Sequence, residues 1–227
     1  GDPMVLSGDH RLVRDTMRAF ARERLAPFAA RWDREHHFPR DELRALGELG
    51  ALGVVVPESS GGAGLDYLSL ALTLEEIAAG DGATSTIVSV QNSVVCGPIH
   101  AYGTDAQRER FLVPLARGEK LGCFCLTEPQ TGSDAGAIAT RAERRGDEYV
   151  LNGVKQFITT GANADVAVVF AVTDRAAGKK GISAFVVETS TPGYRVARVE
   201  EKLGQRASDT AQIAFEDCRV PAANRLG

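Results

Sequence analysis

The sequence predicts an α+β protein with its helices first and its strands second. Two observations carry this. Up to about Gly118, apolar residues recur every three or four positions, the spacing of a helix face. Beyond Gly118, short β-branched runs separated by turn formers take over, as in an antiparallel sandwich or barrel. The expected division is an all-α unit over 5–119 and a β unit over 120–227.

Val13, Met17, Phe20, Ala21, Leu25 and Phe28 line one face of a first long helix. Pro39 opens a second, carrying Leu43 and Leu46 and stopping around Gly50 and Gly53. Pro57 to Gly64 reads as a loop by composition. A leucine-dense helix is predicted from about Tyr67 to Ala79. Another follows Gly82 with Ile87, Val90 and Val94; its small and apolar residues from Thr84 to Ser93 predict burial on most sides. Thr104-Asp105-Ala106-Gln107 has the form of a capping box, in which the threonine hydroxyl and the glutamine side chain each satisfy a free N–H. The helix it starts carries Phe111, Leu112 and Leu115. In the second half, Leu121 to Leu126 is strand-like. Asn152-Gly153 is a hairpin-turn signal joining Tyr149–Leu151 to Val154–Ile158. Ala167 to Val172, Ile182 to Val187, Tyr194 to Val199 and Gln212 to Phe215 complete the predicted strands, with turns at Ala176-Ala177-Gly178 and Pro192-Gly193.

Composition narrows the function classes. The chain has 227 residues, 44% of them hydrophobic and 25% charged, the balance of an ordinary globular protein. Its formal net charge of −4 argues against a nucleic-acid binder, which would show a basic excess. Cys96, Cys123, Cys125 and Cys218 have neither zinc-type spacing nor the density of a disulfide framework, so they read as buried small residues in a reducing compartment. On a strand, Cys123 and Cys125 would point to the same face. No apolar run approaches the ~20 residues of a membrane span. Gly1-Asp2-Pro3-Met4 is no signal peptide and reads as a tag remnant ahead of Met4. The expected location is the cytoplasm.

Two segments could carry chemistry. Cys125 to Gly136 follows a strand, offers the hydroxyls of Thr127 and Ser133, and contains Gly132 and Gly136. Successive free N–H groups in such a turn can bind an anion, although composition alone favours an ordinary polar loop. Phe157-Ile158-Thr159-Thr160-Gly161 ends a strand with an aromatic and two hydroxyls. Composition alone would put Phe157 in the core, but a flat cofactor would also want that aromatic wall with its donors. The histidines His10, His36, His37 and His100 have no second ligand type at metal spacing. There is no GxSxG or Walker loop, and Gly61-Gly62-Ala63-Gly64 does not follow a strand.

Leu126-Thr127-Glu128-Pro129 followed by Gly132-Ser133-Asp134-Ala135-Gly136 resembles the signature of the acyl-CoA dehydrogenases. Tyr149 to Lys155, Phe157 to Thr159, Lys180 to Phe185, Lys202 to Arg206 and Phe215 to Pro221 agree with the family in order. So do Val55 to Pro57, Gly61-Gly62 and Ser89 to Ser93 upstream. The resemblance covers residues 8 to 227. Ser89 to Ile99 and Gly122-Cys123-Phe124 look most like the short-chain, butyryl-CoA-type members.

This resemblance implies a flavoenzyme of fatty acid β-oxidation that uses FAD to oxidise an acyl-CoA and passes electrons to an electron-transfer flavoprotein. It implies a homo-oligomer, a tetramer in full-length members. By the same match, Phe124, Leu126, Thr127, Gly132, Ser133, Phe157, Ile158 and Thr159 would bind the cofactor. Thr127 would face the flavin near N5, Ser133 the pyrophosphate and the thioester, and Phe157 the side of the ring. Ser133, Gln91 and Asn92 would contact substrate. Family members continue into a second helical domain that carries the catalytic glutamate. The resemblance implies that this domain is missing here, so the chain alone would be inactive and no catalytic residue is named. Gln130-Thr131 stands where the family has smaller residues or Asn, and Phe157 where it commonly has Trp. An acyl-CoA oxidase or flavin monooxygenase on the same scaffold, or a non-catalytic fragment acting as an interaction module, are the alternatives.

Overall fold

A computed structural model describes residues 5–227; the reading of Gly1 to Met4 as a tag remnant lies outside them. The first half is helical. The helix α1 (Gly8–Phe20) opens on a Ser7 capping box and runs into a π-helical turn, Ala21–Leu25. Helices α2 (Ala29–Glu35), α3 (Arg40–Glu48) and α4 (Tyr67–Gly80) follow. Next comes α5 (Gly82–Val90), which passes through a π-helical turn at Gln91–Val95 into α6 (Cys96–Tyr102). The Thr104 capping box forms as expected and starts α7 (Asp105–Gln107), joined by a third π turn to α8 (Val113–Ala116). Met17, Phe20, Leu25, Trp32, Leu43, Leu46, Ile77 and Ile87 close one helical core. Each such side chain contributes roughly 1.5–3 kcal/mol by leaving water.

Eight strands follow: β1 (Gly122–Cys125), β2 (Arg141–Arg145), β3 (Glu148–Thr159), β4 (Val166–Val172), β5 (Ile182–Glu188), β6 (Tyr194–Val199), β7 (Thr210–Pro221) and β8 (Arg225–Leu226). They form one sheet in the order β6-β7-β3-β2-β4-β5-β8, with β1 beside β4. Most pairings are antiparallel as expected, but β1 runs parallel to β4. Strand β4 is buried on both faces: Ala167, Val169 and Ala171 join the β core, while Val166 and Val168 pack on Ile99, Phe111 and Leu112 of the helices. That explains its unbroken apolar run.

The helical half seats β1 directly. The Gln91 side chain accepts from Gly122 N–H at 2.7 Å and donates to Gly122 C=O at 2.8 Å. A Cβ at Gly122 would strike the Val95 side chain, so glycine there sets the approach of the π turn.

The structure corrects one expected turn. Asn152-Gly153 is no hairpin: β3 runs through it, and the β2–β3 turn lies at Gly146-Asp147, where Gly146 has φ 65°. The bulge here lies in the partner strand: β7 carries an extra residue at Glu216-Asp217, opposite Asn152, with Asp217 at φ 48°. The Asn152 side chain accepts from Asp217 N–H at 3.0 Å and donates to Asp217 Oδ1 at 3.1 Å. Asn152 thus braces the extra residue of the partner strand instead of making a turn.

Candidate flavin-facing wall and apolar cleft

The alternation of β1 sorts its side chains. Cys123 and Cys125 point into the β core, with their sulfurs 3.8 Å apart. The contact with the Cys123 sulfur, together with burial, pushes the Cys125 thiol well above its ordinary range, so it is an inert core residue. Phe124 and Leu126 face the other way, onto a cleft of about 710 Å³. Phe170, Ile182 and Leu226 line it from the sheet, and Pro98 and Tyr102 from α6. The Phe124 and Phe170 rings meet edge to face, centroids 5.1 Å apart.

Beyond β1 the chain folds on itself: Glu128 and Thr131 exchange main-chain bonds of 2.9 and 3.1 Å. The Glu128 carboxylate is buried. It accepts from Ala139 N–H at 2.6 Å, Thr140 N–H at 3.1 Å, Gln130 Nε2 at 2.8 Å and Lys155 Nζ at 2.7 Å. Lys155, equally buried, also donates to Leu126 C=O at 3.0 Å. Burial alone would raise the Glu128 pKa, but the Lys155 ammonium and the loop N–H groups hold it at about 2. Burial lowers the Lys155 pKa, against which Glu128 favours the charged form.

The far end of β3 supplies the opposing piece. Its register with β7 shifts between Lys155 and Ile158. Phe157, inside the shift, has φ 57° and is 63% exposed. A left-handed backbone at a bulky residue costs about 1–3 kcal/mol and persists only where the surroundings impose it. The constraint is visible: Gln156 N–H donates to Thr127 C=O at 2.8 Å. Gln156 Nε2 donates to Glu200 at 2.7 Å, and Gln212 Nε2 donates to the Gln156 side-chain oxygen at 2.7 Å. Gln156 is pinned inward and Phe157 is turned out.

The donors around this wall suit a flat anionic group. Among the described residues, the N–H groups of Gly132, Ser133 and Asp134 reach no protein acceptor. Thr127 and Thr159 are half-buried and Ser133 exposed, and no protein group engages their hydroxyls. At Gly132 an added Cβ would meet only the Thr127 methyl, at 3.9 Å, so the loop leaves open space beside that side chain. An exposed aromatic, free hydroxyls and a run of unpaired N–H groups fit a ring carrying a pyrophosphate.

Thus Thr127 and Phe157 come together, while Phe124 and Leu126 serve the neighbouring cleft. Ile158 is buried in the β core, so only its main chain can face outward. Gln91 and Asn92 are buried and occupied. Asn92 accepts from Val54 N–H at 2.8 Å and donates to Ala51 C=O and Val88 C=O, and the adjacent Ser93 and Val94 line the cleft instead. In this structure Gln91 and Asn92, from which a direct substrate contact is expected, hold the helix rather than face the cleft. Sequence reading missed Phe170, which looked like plain core, and the Glu128–Lys155 pair, whose members lie too far apart in sequence for spacing to reveal. Among the described residues no His/Cys/Asp/Glu group could hold a metal ion, and no helix is long and apolar enough to cross a membrane.

Comparison with known proteins agrees with this architecture. Residues 7–119 match the family model "Acyl-CoA dehydrogenase, N-terminal domain" and 123–218 match "Acyl-CoA dehydrogenase, middle domain". The mitochondrial short-chain specific acyl-CoA dehydrogenase of Rattus norvegicus is 50% identical over 96% of this chain, which spans 53% of that protein. Butyryl-CoA dehydrogenase from Megasphaera elsdenii superposes with a TM-score of 0.95 at 39% identity, over 99% of this chain and 60% of that one. A glutaryl-CoA dehydrogenase from Mycobacterium smegmatis, in complex with FADH2, superposes at 0.91 with 38% identity over 97% and 55%. The chain spans about half the length of the curated relatives it matches. With both halves matched in order by the same family, over a helical unit followed by a mostly antiparallel sheet, the chain belongs to the acyl-CoA dehydrogenase family.

Proposed function

We propose that this chain forms the flavin-facing wall and one side of the acyl slot in an FAD-dependent enzyme that oxidises a short-chain acyl-CoA between its α and β carbons. The main support is the Gln156 N–H to Thr127 C=O bond at 2.8 Å, which joins the loop after β1 to the bulge that exposes Phe157. The two segments singled out by their chemistry become one surface.

In this reading, Phe157 offers its ring to the flat cofactor, and Thr127 and Thr159 offer hydroxyls to its edge. Such donors carry no competing charge and stabilise the negative charge that builds up there. The free N–H groups around Gly132 and Ser133 take the pyrophosphate, with the Ser133 hydroxyl near the thioester. Bound FAD supplies the two-electron acceptor for hydride from the β carbon. Phe124, Leu126 and Phe170 hold the acyl chain in an apolar slot that excludes water. The residues lining the cleft include no Asp, Glu or His, so none of them is assigned as the acceptor of the α-proton. The helical 5–119 and β 120–227 units, delivery of electrons to an electron-transfer flavoprotein and homo-oligomerisation belong to the same proposal for the intact protein.

The test is colour. The purified gene product should show a flavin absorption band that bleaches when butyryl-CoA is added without oxygen. Peroxide formed in air in place of dye reduction would favour an oxidase. Colourless protein unchanged by added FAD and butyryl-CoA would refute the flavin reading.

A further inference from the structure

We infer that Glu128 and Lys155 are positioning residues whose buried contact fixes the distance between the Thr127 loop and the Phe157 bulge. The inference rests on the proposed flavin site and goes beyond it, since neither side chain faces that site.

Placement is the first argument. Glu128 directly follows Thr127, and Lys155 lies two residues before Phe157. Strand β1 ends at Cys125 and has no ladder to β3. Where that ladder is lacking, three bonds join the segments: Lys155 Nζ to Leu126 C=O at 3.0 Å, Gln156 N–H to Thr127 C=O at 2.8 Å, and Lys155 Nζ to Glu128 at 2.7 Å. Two of the three use the lysine side chain as a rung of fixed length.

The second argument is where the remaining bonds go. Every other hydrogen bond of the Glu128 carboxylate is to its own loop: Gln130, Ala139 and Thr140. The pair therefore anchors both ends of the segment that holds Gly132 and Ser133. The third argument is chemical economy. Apolar residues of similar volume often stabilise a buried site as well as an ion pair does. They could not hold the Leu126 carbonyl or the Ala139 and Thr140 N–H groups, so what the charges add is location.

The test uses the intact flavin-loaded protein and its apo form, comparing wild type with Glu128→Asp and with the double variant Glu128→Leu/Lys155→Met. Aspartate keeps the charge and shortens the reach by one methylene. In both variants we expect FAD affinity to fall roughly tenfold and the circular dichroism band of bound flavin to change. The apo melting temperature should stay within a few degrees of wild type in Glu128→Asp and be lower in the double variant, which leaves the Leu126 carbonyl and the Ala139 and Thr140 N–H groups unpaired. In turnover, kcat should fall by a similar factor while KM for butyryl-CoA moves less than about twofold. Amide exchange at Ala139 and Thr140 should quicken in the apo double variant, a readout that needs no cofactor. If the double variant does not fold, Glu128→Asp decides alone. Wild-type FAD affinity and flavin dichroism in a folded variant would show that the pair only packs, and overturn the inference. A wild-type protein that takes no flavin would instead remove the site on which it rests.

Discussion

Strand β3 loses register with β7 at Asn152-Gly153 and again near Gln156-Phe157. At the first break, side-chain bonds from Asn152 to Asp217 close the gap, and Gly153 lets Thr140 lie against the backbone. At the second, Gln156 is bonded inward and Phe157 is left outside in a left-handed conformation. The left-handed residue is Asp217 (φ 48°) at the first break and Phe157 at the second, and only the aspartate is of a type that enters that region readily. A bulge that serves the fold is relaxed by its own sequence, whereas a bulge that presents a side chain is held against its local preference by its neighbours. Lys155 stands between the two, and the sharpest way to break the comparison is to remove it. Lys155→Met should cost about 3–5 kcal/mol, because Glu128 is left charged and buried without its partner. A urea midpoint unchanged by that substitution would mean that the second bulge holds itself.

Acid probes the same clamp more gently. The folded pKa of Glu128 is about 2 against an ordinary 4.5, so the unfolded chain takes up the proton first. The stabilisation is therefore complete above about pH 5 and is lost as pH falls toward 2; at roughly 1.4 kcal/mol per pH unit, its full size is about 3 kcal/mol. Unfolding midpoints at pH 7, 4 and 3 should drop less steeply in Glu128→Gln than in wild type. Parallel slopes would place the acid sensitivity elsewhere, for example at Asp66, which Ser69 and His10 also hold at about 2.

The two breaks also mark where sequence reading stops. Periodicity located α4 and the apolar strands β4 and β5, and capping chemistry located the start of α7 at Thr104. These signals are local, so they survive in the fold. Strand β2 escaped because Arg141, Glu143, Arg144 and Arg145 are exposed and only Ala142 reaches the core. Asn152-Gly153 was misread because the dipeptide that makes a turn also suits a strand facing a bulge, and only the partner strand decides between them. The Thr127 and Phe157 segments stood out by composition, but their meeting depends on bonds between residues about thirty apart. Phe157 illustrates this limit: composition alone would place it in the core, and its exposure follows from what holds Gln156.

The first bulge predicts a moderate effect. Alanine at Gly153 would drive its Cβ into the Thr140 hydroxyl and to within 2.6 Å of Thr140 Cβ, at a backbone φ of 154°. Overpacking of this kind costs about 1–3 kcal/mol. Gly153→Ala should lower the urea midpoint by that amount and, because Thr140 N–H also holds Glu128, change the flavin spectrum less than Glu128→Asp does. A spectral change with intact stability would merge the two bulges into one functional unit.

The smallest effect has the opposite sign. Asparagine enters the left-handed region more readily than phenylalanine does. Phe157 is exposed, so losing its ring removes little burial. Phe157→Asn should therefore leave the apo protein equally stable or about 1 kcal/mol more stable, by relieving part of the strain at φ 57°. The same substitution removes the aromatic face and should weaken FAD binding, whereas Phe157→Trp keeps the ring and should retain it. Stability and cofactor affinity moving in opposite directions is the signature of strain held for a ligand. If Phe157→Asn instead lowered both together, the ring would be packing against protein and the contrast between the bulges would fail.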